Sequence, residues 1–145
     1  MARLFTIGYE RLLPPELVNE LKVAGVERLI DVRYRPQSRR PGMSKTRLGE
    51  LLGDHGIAYE HRKELGTPPD IRWYFKNRRE AEGQAQFRAH IEETAAKELD
   101  ALAQELETAP PTVLMCLEAE PGGCHRRVLA EQLRARRPEL EVVDL

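Results

Sequence analysis

No apolar run in this sequence approaches the ~20 residues that cross a bilayer. The short apolar segment 3–7 gives way at once to Gly8-Tyr9-Glu10, which leaves no room for a signal-peptide core. Cysteine is scarce: Cys116 and Cys124 are the whole complement, too few for a disulfide framework, so a reducing, cytoplasmic setting is expected. Neither charge is in surplus, with 23 Lys+Arg against 24 Asp+Glu and a net charge of −1. That balance excludes a basic coat for nucleic acid and leaves room only for a local basic site. Glycine-rich phosphate fingerprints are missing too; Gly8-Tyr9 is too meagre for a dinucleotide turn, and nothing resembles a Walker loop. A tyrosine-phosphatase-type loop needs an arginine six residues after its nucleophile, but Gly122 stands there for Cys116 and Ala130 for Cys124. A rhodanese-like loop after Cys116 would carry Glu118 and Glu120, whose charge repels an anion.

What is present suits one globular domain over 1–145, being 41% hydrophobic and 32% charged. Residues 3–7 read as a first strand. Pro14-Pro15-Glu16 opens a helix with Leu17, Val18, Leu21 and Ala24, closed by Gly25. Leu29-Ile30-Asp31-Val32 is a second strand, apolar on both faces except for one carboxylate, as in a sheet covered on both sides. Pro36, Ser38, Pro41 and Gly42 mark a loop from Tyr34 to Met43, after which Ser44 caps a helix through Leu48, Leu51 and Leu52 that ends at Gly56. Ile57-Ala58-Tyr59 is a third strand. Residues 66–83 combine Pro68, Pro69 and Gly83 with Trp73, Tyr74 and Phe75, and are expected to form a loop-rich lid. Phe87, Ile91, Ala95, Leu99, Leu102 and Leu106 form one stripe, so a single amphipathic helix is expected over 84–107. A buried strand follows over 112–117, then a turn, a helix from about Cys124 to Arg136 and a closing strand over 140–143. This alternation predicts a three-layer α/β sandwich with a mostly parallel sheet of about five strands.

Ligands in such sheets sit beyond the carboxyl ends of the strands. The polar and glycine residues cluster there: Gly8 and Tyr9 after the first strand, Asp31 and Arg33 at the second, and Cys116 and Glu118 at the fourth. Asp31 lies between Ile30 and Val32 and needs a partner. It reads equally as a general base or ligand anchor and as an ion pair, or a carboxylate tying down the next loop's amides. Residues 32–47 hold Arg33, Arg35, Arg39, Arg40, Lys45 and Arg47 and no acid, which suits phosphate contact or, more plainly, a solvated basic loop. The turn Gly122-Gly123-Cys124-His125-Arg126-Arg127 opens the last helix, whose free amides and dipole favour an anion and would lower the Cys124 thiol pKa. The plain alternative is a small residue packed at a helix start. Cys116, Cys124 and His125, with His55, His61 or Glu118, are also a zinc set, although their spacing matches no standard knuckle.

Thr6-Ile7-Gly8-Tyr9-Glu10, Leu29-Ile30-Asp31-Val32-Arg33, Pro36, Ser38-Arg39, Gly56-Ile57, Tyr59, Leu65-Gly66, Cys116-Leu117-Glu118 and Cys124-His125-Arg126 together resemble the family called domain of unknown function 488. The resemblance runs from about Phe5 to Leu133. The family's leucine-glycine motif typically continues with glycine and arginine, whereas Thr67-Pro68-Pro69 follow here. The resemblance implies a cytoplasmic α/β domain and brings forward the residues already singled out by the strand-end argument.

The sequence-based expectation is a small enzyme acting on an anionic substrate, a nucleotide or nucleic-acid phosphate. Asp31, Cys124, His125 and Glu118 are the candidate catalytic residues, and Gly8, Tyr9, Arg33, Arg39 and Arg126 the candidate binding residues, with no cofactor or metal assigned. The alternative is a non-catalytic nucleic-acid or protein-binding module built on the basic loop 33–47 and Trp73-Tyr74-Phe75, with structural zinc behind both. No membrane partner is expected.

Overall fold

The computed structural model describes residues 3–118 and 124–145. Five strands, β1 (Arg3–Gly8), β2 (Arg28–Asp31), β3 (Ala58–His61), β4 (Thr112–Cys116) and β5 (Glu141–Asp144), form one sheet in the order β3-β2-β4-β1-β5. Every pairing is parallel. Phe5, Val113 and Leu29 lie in register across the three central strands and face one apolar layer. Leu4, Leu114 and Ile30 face the other. Two buried faces are why these strands read as continuous apolar runs. The protein is therefore a three-layer α/β sandwich.

Helices α1 (Pro14–Ala24) and α2 (Lys45–Asp54) cover the first face through Leu17, Leu21, Leu48 and Leu52. Glu16 accepts a hydrogen bond from the Leu13 amide at 2.8 Å, and Gly25, at φ 77°, ends α1 in the left-handed conformation. Ser44 stands at the N-cap of α2, but its hydroxyl does not cap it. That oxygen instead accepts the Ser38 amide at 2.9 Å, so the serine orders the preceding loop.

Helices α3 (Pro69–Lys76), α4 (Glu80–Thr94), α5 (Ala96–Glu105) and α6 (Arg126–Arg136) contribute Ile71, Phe87, Ile91, Leu99, Leu102, Leu129 and Leu133 to the layer on the second face. The single helix expected over 84–107 is two helices broken at Ala95, whose φ of −130° is not helical. Thr94 donates its hydroxyl to the His90 carbonyl at 2.8 Å, a back-bond that bends helices, while the apolar stripe stays buried across the break. Gly83 is not a loop residue either. It lies in α4, where a Cβ would come 3.0 Å from the Phe75 ring, so its absence lets α3 pack closely. No helix among the described residues is long and apolar enough to cross a membrane.

The chain leaves β1 and β2 toward one face and leaves the central strand β4 toward the other. Both edges of β4 are therefore places where successive connections diverge, and a crevice opens at its carboxyl end.

Candidate functional site

A pocket of about 380 Å³ occupies that crevice. Tyr9 follows β1, Arg33 follows β2, Cys116 ends β4 and Glu118 follows it; all four line the pocket. The loop before α2 adds Arg35, Arg39 and Arg40, and the segment around α3 adds Thr67, Arg72 and Phe75. Cys124 and His125 close the wall from the start of α6. Of the residues expected from sequence, Tyr9, Arg33, Arg39, Glu118, Cys124 and His125 thus meet at one pocket. Gly8, Asp31 and Arg126 lie behind its wall. Gly122 and Gly123 fall outside the described residues.

Asp31 has no exposed surface. Arg33 grips it with Nε at 2.9 Å and Nη2 at 2.7 Å, the Arg33 amide donates to it at 3.0 Å, and the Tyr59 hydroxyl donates at 2.5 Å. The remaining Arg33 nitrogen donates to the Met43 carbonyl at 2.7 Å and the Tyr9 hydroxyl at 3.2 Å. Burial alone would lower the Arg33 pKa, but the hydrogen bonds and charge of Asp31 outweigh it and hold the guanidinium above its ordinary value. Burial, then the bond to Asp31, pushes the Tyr59 hydroxyl up as well. The ion pair that ties down the next loop's amide is what the geometry contains. Asp31 is not among the residues that line the pocket.

Arg40 is engaged in the same manner. Its guanidinium donates to the carbonyls of Tyr9 at 2.6 Å, Glu10 at 2.9 Å and Leu12, pinning the loop to the β1–α1 turn. Arg35 and Arg39 keep exposed guanidinium groups that have no side-chain partner among the described residues.

Arg126 is fully buried, with Nη1 3.7 Å from the Cys116 sulfur. A Cβ on Gly8 would overlap the Glu118 carbonyl and sit 2.7 Å from that same Nη1. Only glycine lets the end of β1 approach the end of β4 so closely. Gly8→Ala is therefore expected to cost about 2–3 kcal/mol, the upper part of the overpacking range, because backbone rather than a movable side chain is in the way. Thermal melting checks this, and a change under about 0.5 kcal/mol would contradict the close approach.

His125 is buried, with its ring edge-on to Phe87 at 5.1 Å. Nε2 lies 2.8 Å from the Val32 carbonyl, which can only accept, so Nε2 carries the proton. The Nδ1 lone pair then faces the Cys124 sulfur at 3.4 Å. Burial, with help from Arg72 and Arg126, lowers the His125 pKa to about 4, so the ring is neutral near pH 7. Burial has the opposite effect on Glu118, raising its pKa against the pull of Arg72 and Arg126.

The two cysteines are joined as a disulfide, a pairing across eight residues that the count of cysteines did not suggest. Of the zinc ligands considered, Cys116, Glu118 and Cys124 converge, their ligand atoms within 4.8 Å of one another. His125 is not part of that group.

Sequence reasoning passed over two pocket residues. Thr67 is 5% exposed, and among the described residues neither its buried hydroxyl nor the buried Arg72 Nε has a hydrogen-bond partner. Gly66 places Thr67: a Cβ there would come 2.5 Å from Tyr34 N and Cα, so only glycine lets the chain run against that backbone. The signal was the departure from the family pattern at Thr67-Pro68-Pro69. It fell where the pocket wall is built.

A parallel α/β sandwich with a polar crevice at the switch point beside its central strand defines the class of this protein. The chain belongs to the family Domain of unknown function DUF488, whose model matches residues 14–133. Gly8 and Tyr9 precede the matched segment. No curated protein and no solved structure matches the chain.

Proposed function

We propose that the pocket binds a compact anionic substrate and that the protein is a small enzyme acting on it, with a phosphate-bearing molecule of nucleotide size as the leading class. The observation that carries this reading is that Thr67 and Arg72, both residues of the pocket lining, each hold a buried polar atom, the hydroxyl and Nε, with no partner among the described residues. A buried polar atom without a partner costs about 1–3 kcal/mol, and an anionic oxygen would satisfy both. Arg39 at the mouth adds charge without competing partners. A volume of about 380 Å³ suits a small molecule.

The non-catalytic binding module draws less support. Of its six basic residues, Arg33 and Arg40 are engaged internally. Its aromatic residues do not form one face: Trp73 is 49% exposed beneath Arg79, while Phe75 turns toward Gly83 and the pocket.

Titration calorimetry with inorganic phosphate and a nucleoside 5′-monophosphate tests the reading. Arg72→Ala is expected to weaken binding at least about tenfold, since hydrogen bonds to charged groups contribute roughly 1.5–3 kcal/mol. Lys45→Ala, on an exposed residue outside the pocket lining, should leave affinity unchanged. If Arg72→Ala and Arg39→Ala bind every anion as tightly as the parent protein, the pocket is not an anion site.

A further inference from the structure

We infer that Cys116 and Cys124 are a redox couple that oxidises a small anionic thiol held in this pocket. The inference rests on the anion-binding reading for its choice of substrate, and on the sulfur geometry for its chemistry. Both cysteines line the pocket, although each is only 1% exposed. A reagent must therefore enter through the arginine-lined mouth to reach them. Their surroundings differ: Cys116 has the Arg126 guanidinium at 3.7 Å, whereas Cys124 has the neutral Nδ1 of His125 at 3.4 Å. A cation stabilises a departing thiolate, so Cys116 is the better leaving group and Cys124 the sulfur attacked.

In the first step a substrate thiolate attacks the Cys124 sulfur. A bond forms between them, the Cys116–Cys124 bond breaks, and its electron pair stays on Cys116 facing Arg126. A second substrate thiolate then attacks the substrate sulfur of this mixed disulfide and releases Cys124. Two thiolates have been oxidised to one disulfide, and the protein disulfide has been reduced to two thiolates, which take up two protons equal in number to those the substrate thiols released on ionising. The Cys124 thiol donates to His125 Nδ1. The same steps in reverse, with a disulfide of the same anionic class as oxidant, restore the protein.

The test compares 2-mercaptoethanesulfonate with cysteamine, thiols of similar size and opposite charge, at equal thiolate concentration. Intact-mass spectrometry follows opening of the disulfide in the unmodified protein. The sulfonate is expected to react at least tenfold faster. With the sulfonate thiol added to the unmodified protein, acid quenching and peptide mapping should place the mixed disulfide on Cys124 and the free thiol on Cys116, and the reverse placement would overturn the assignment. Both readouts use the unmodified protein, so neither depends on a variant folding. If phosphate binds but neither thiol opens the bridge, the redox inference falls and the anion pocket stands. Equal rates for the two thiols would overturn the anionic substrate class while leaving the couple. One zinc per chain that shields both sulfurs from alkylation until chelated would overturn the couple itself.

Discussion

Asp31→Ala is expected to destabilise the protein by about 3–5 kcal/mol, the cost of leaving one member of a buried ion pair without the other. The substitution removes the acceptor for two Arg33 nitrogens, the Arg33 amide and the Tyr59 hydroxyl together. Arg33, 5% exposed, cannot turn to water without giving up its bonds to Met43 and Tyr9. At about 2–4 °C per kcal/mol for a chain near this size, melting should fall by roughly 10 °C. Asp31→Asn keeps an acceptor for Tyr59 but not the charge, and should lose an intermediate amount. Urea unfolding gives both values. A loss below about 1 kcal/mol for Asp31→Ala would mean that the pair is not closed to water as the structure has it.

Acid should weaken the fold well before the carboxylates protonate. The His125 pKa is about 4 in the folded chain, against about 6.5 when unfolded. Between those values the unfolded state binds the proton and the folded state does not, so stability falls as pH falls through this window. The loss amounts to about 2 kcal/mol by pH 5 and about 3 kcal/mol when complete, at 1.36 kcal/mol per unit. His125→Gln cannot take up the proton, and its stability should be flatter between pH 7 and pH 5 by that amount. Glu105, whose pKa the Arg62 hydrogen bond lowers, acts only further down, where acid begins to remove its charge. Parallel pH profiles for the parent and His125→Gln would show that His125 is not buried neutral.

Legibility in the sequence followed periodicity. The strands and the faces of α1, α2 and α6 could be read because apolar residues repeat at strand or helix spacing there. The stripe from Phe87 to Leu106 was equally plain, but the break at Ala95 was not, since both helices bury the same stripe. The convergence of Tyr9, Arg33, Glu118, Cys124 and His125 followed from placing polar residues at strand ends. What could not be read was direction. Asp31 and Arg33 share a strand end, yet they face each other, and Arg126 is buried beside Gly8 and does not line the pocket. Thr67 and Arg72 carry no periodic signal and reach the pocket only because Gly66 packs on the Tyr34 backbone. The disulfide depends on how β4 and α6 meet, which spacing alone does not specify.

The position of β4 also bears on how the protein is made. The sheet's middle strand is encoded by residues 112–116, late in the chain. On a ribosome β2 and β3 can pair early, but β1 has neither of its final neighbours until β4 and β5 have emerged. At roughly 5–20 residues per second, the first strand waits several seconds with both edges open. A nascent chain stopped before residue 112 holds two apolar layers and only the β2–β3 pair to separate them. Such a fragment is a substrate for chaperones or proteases rather than a folding intermediate that can rest.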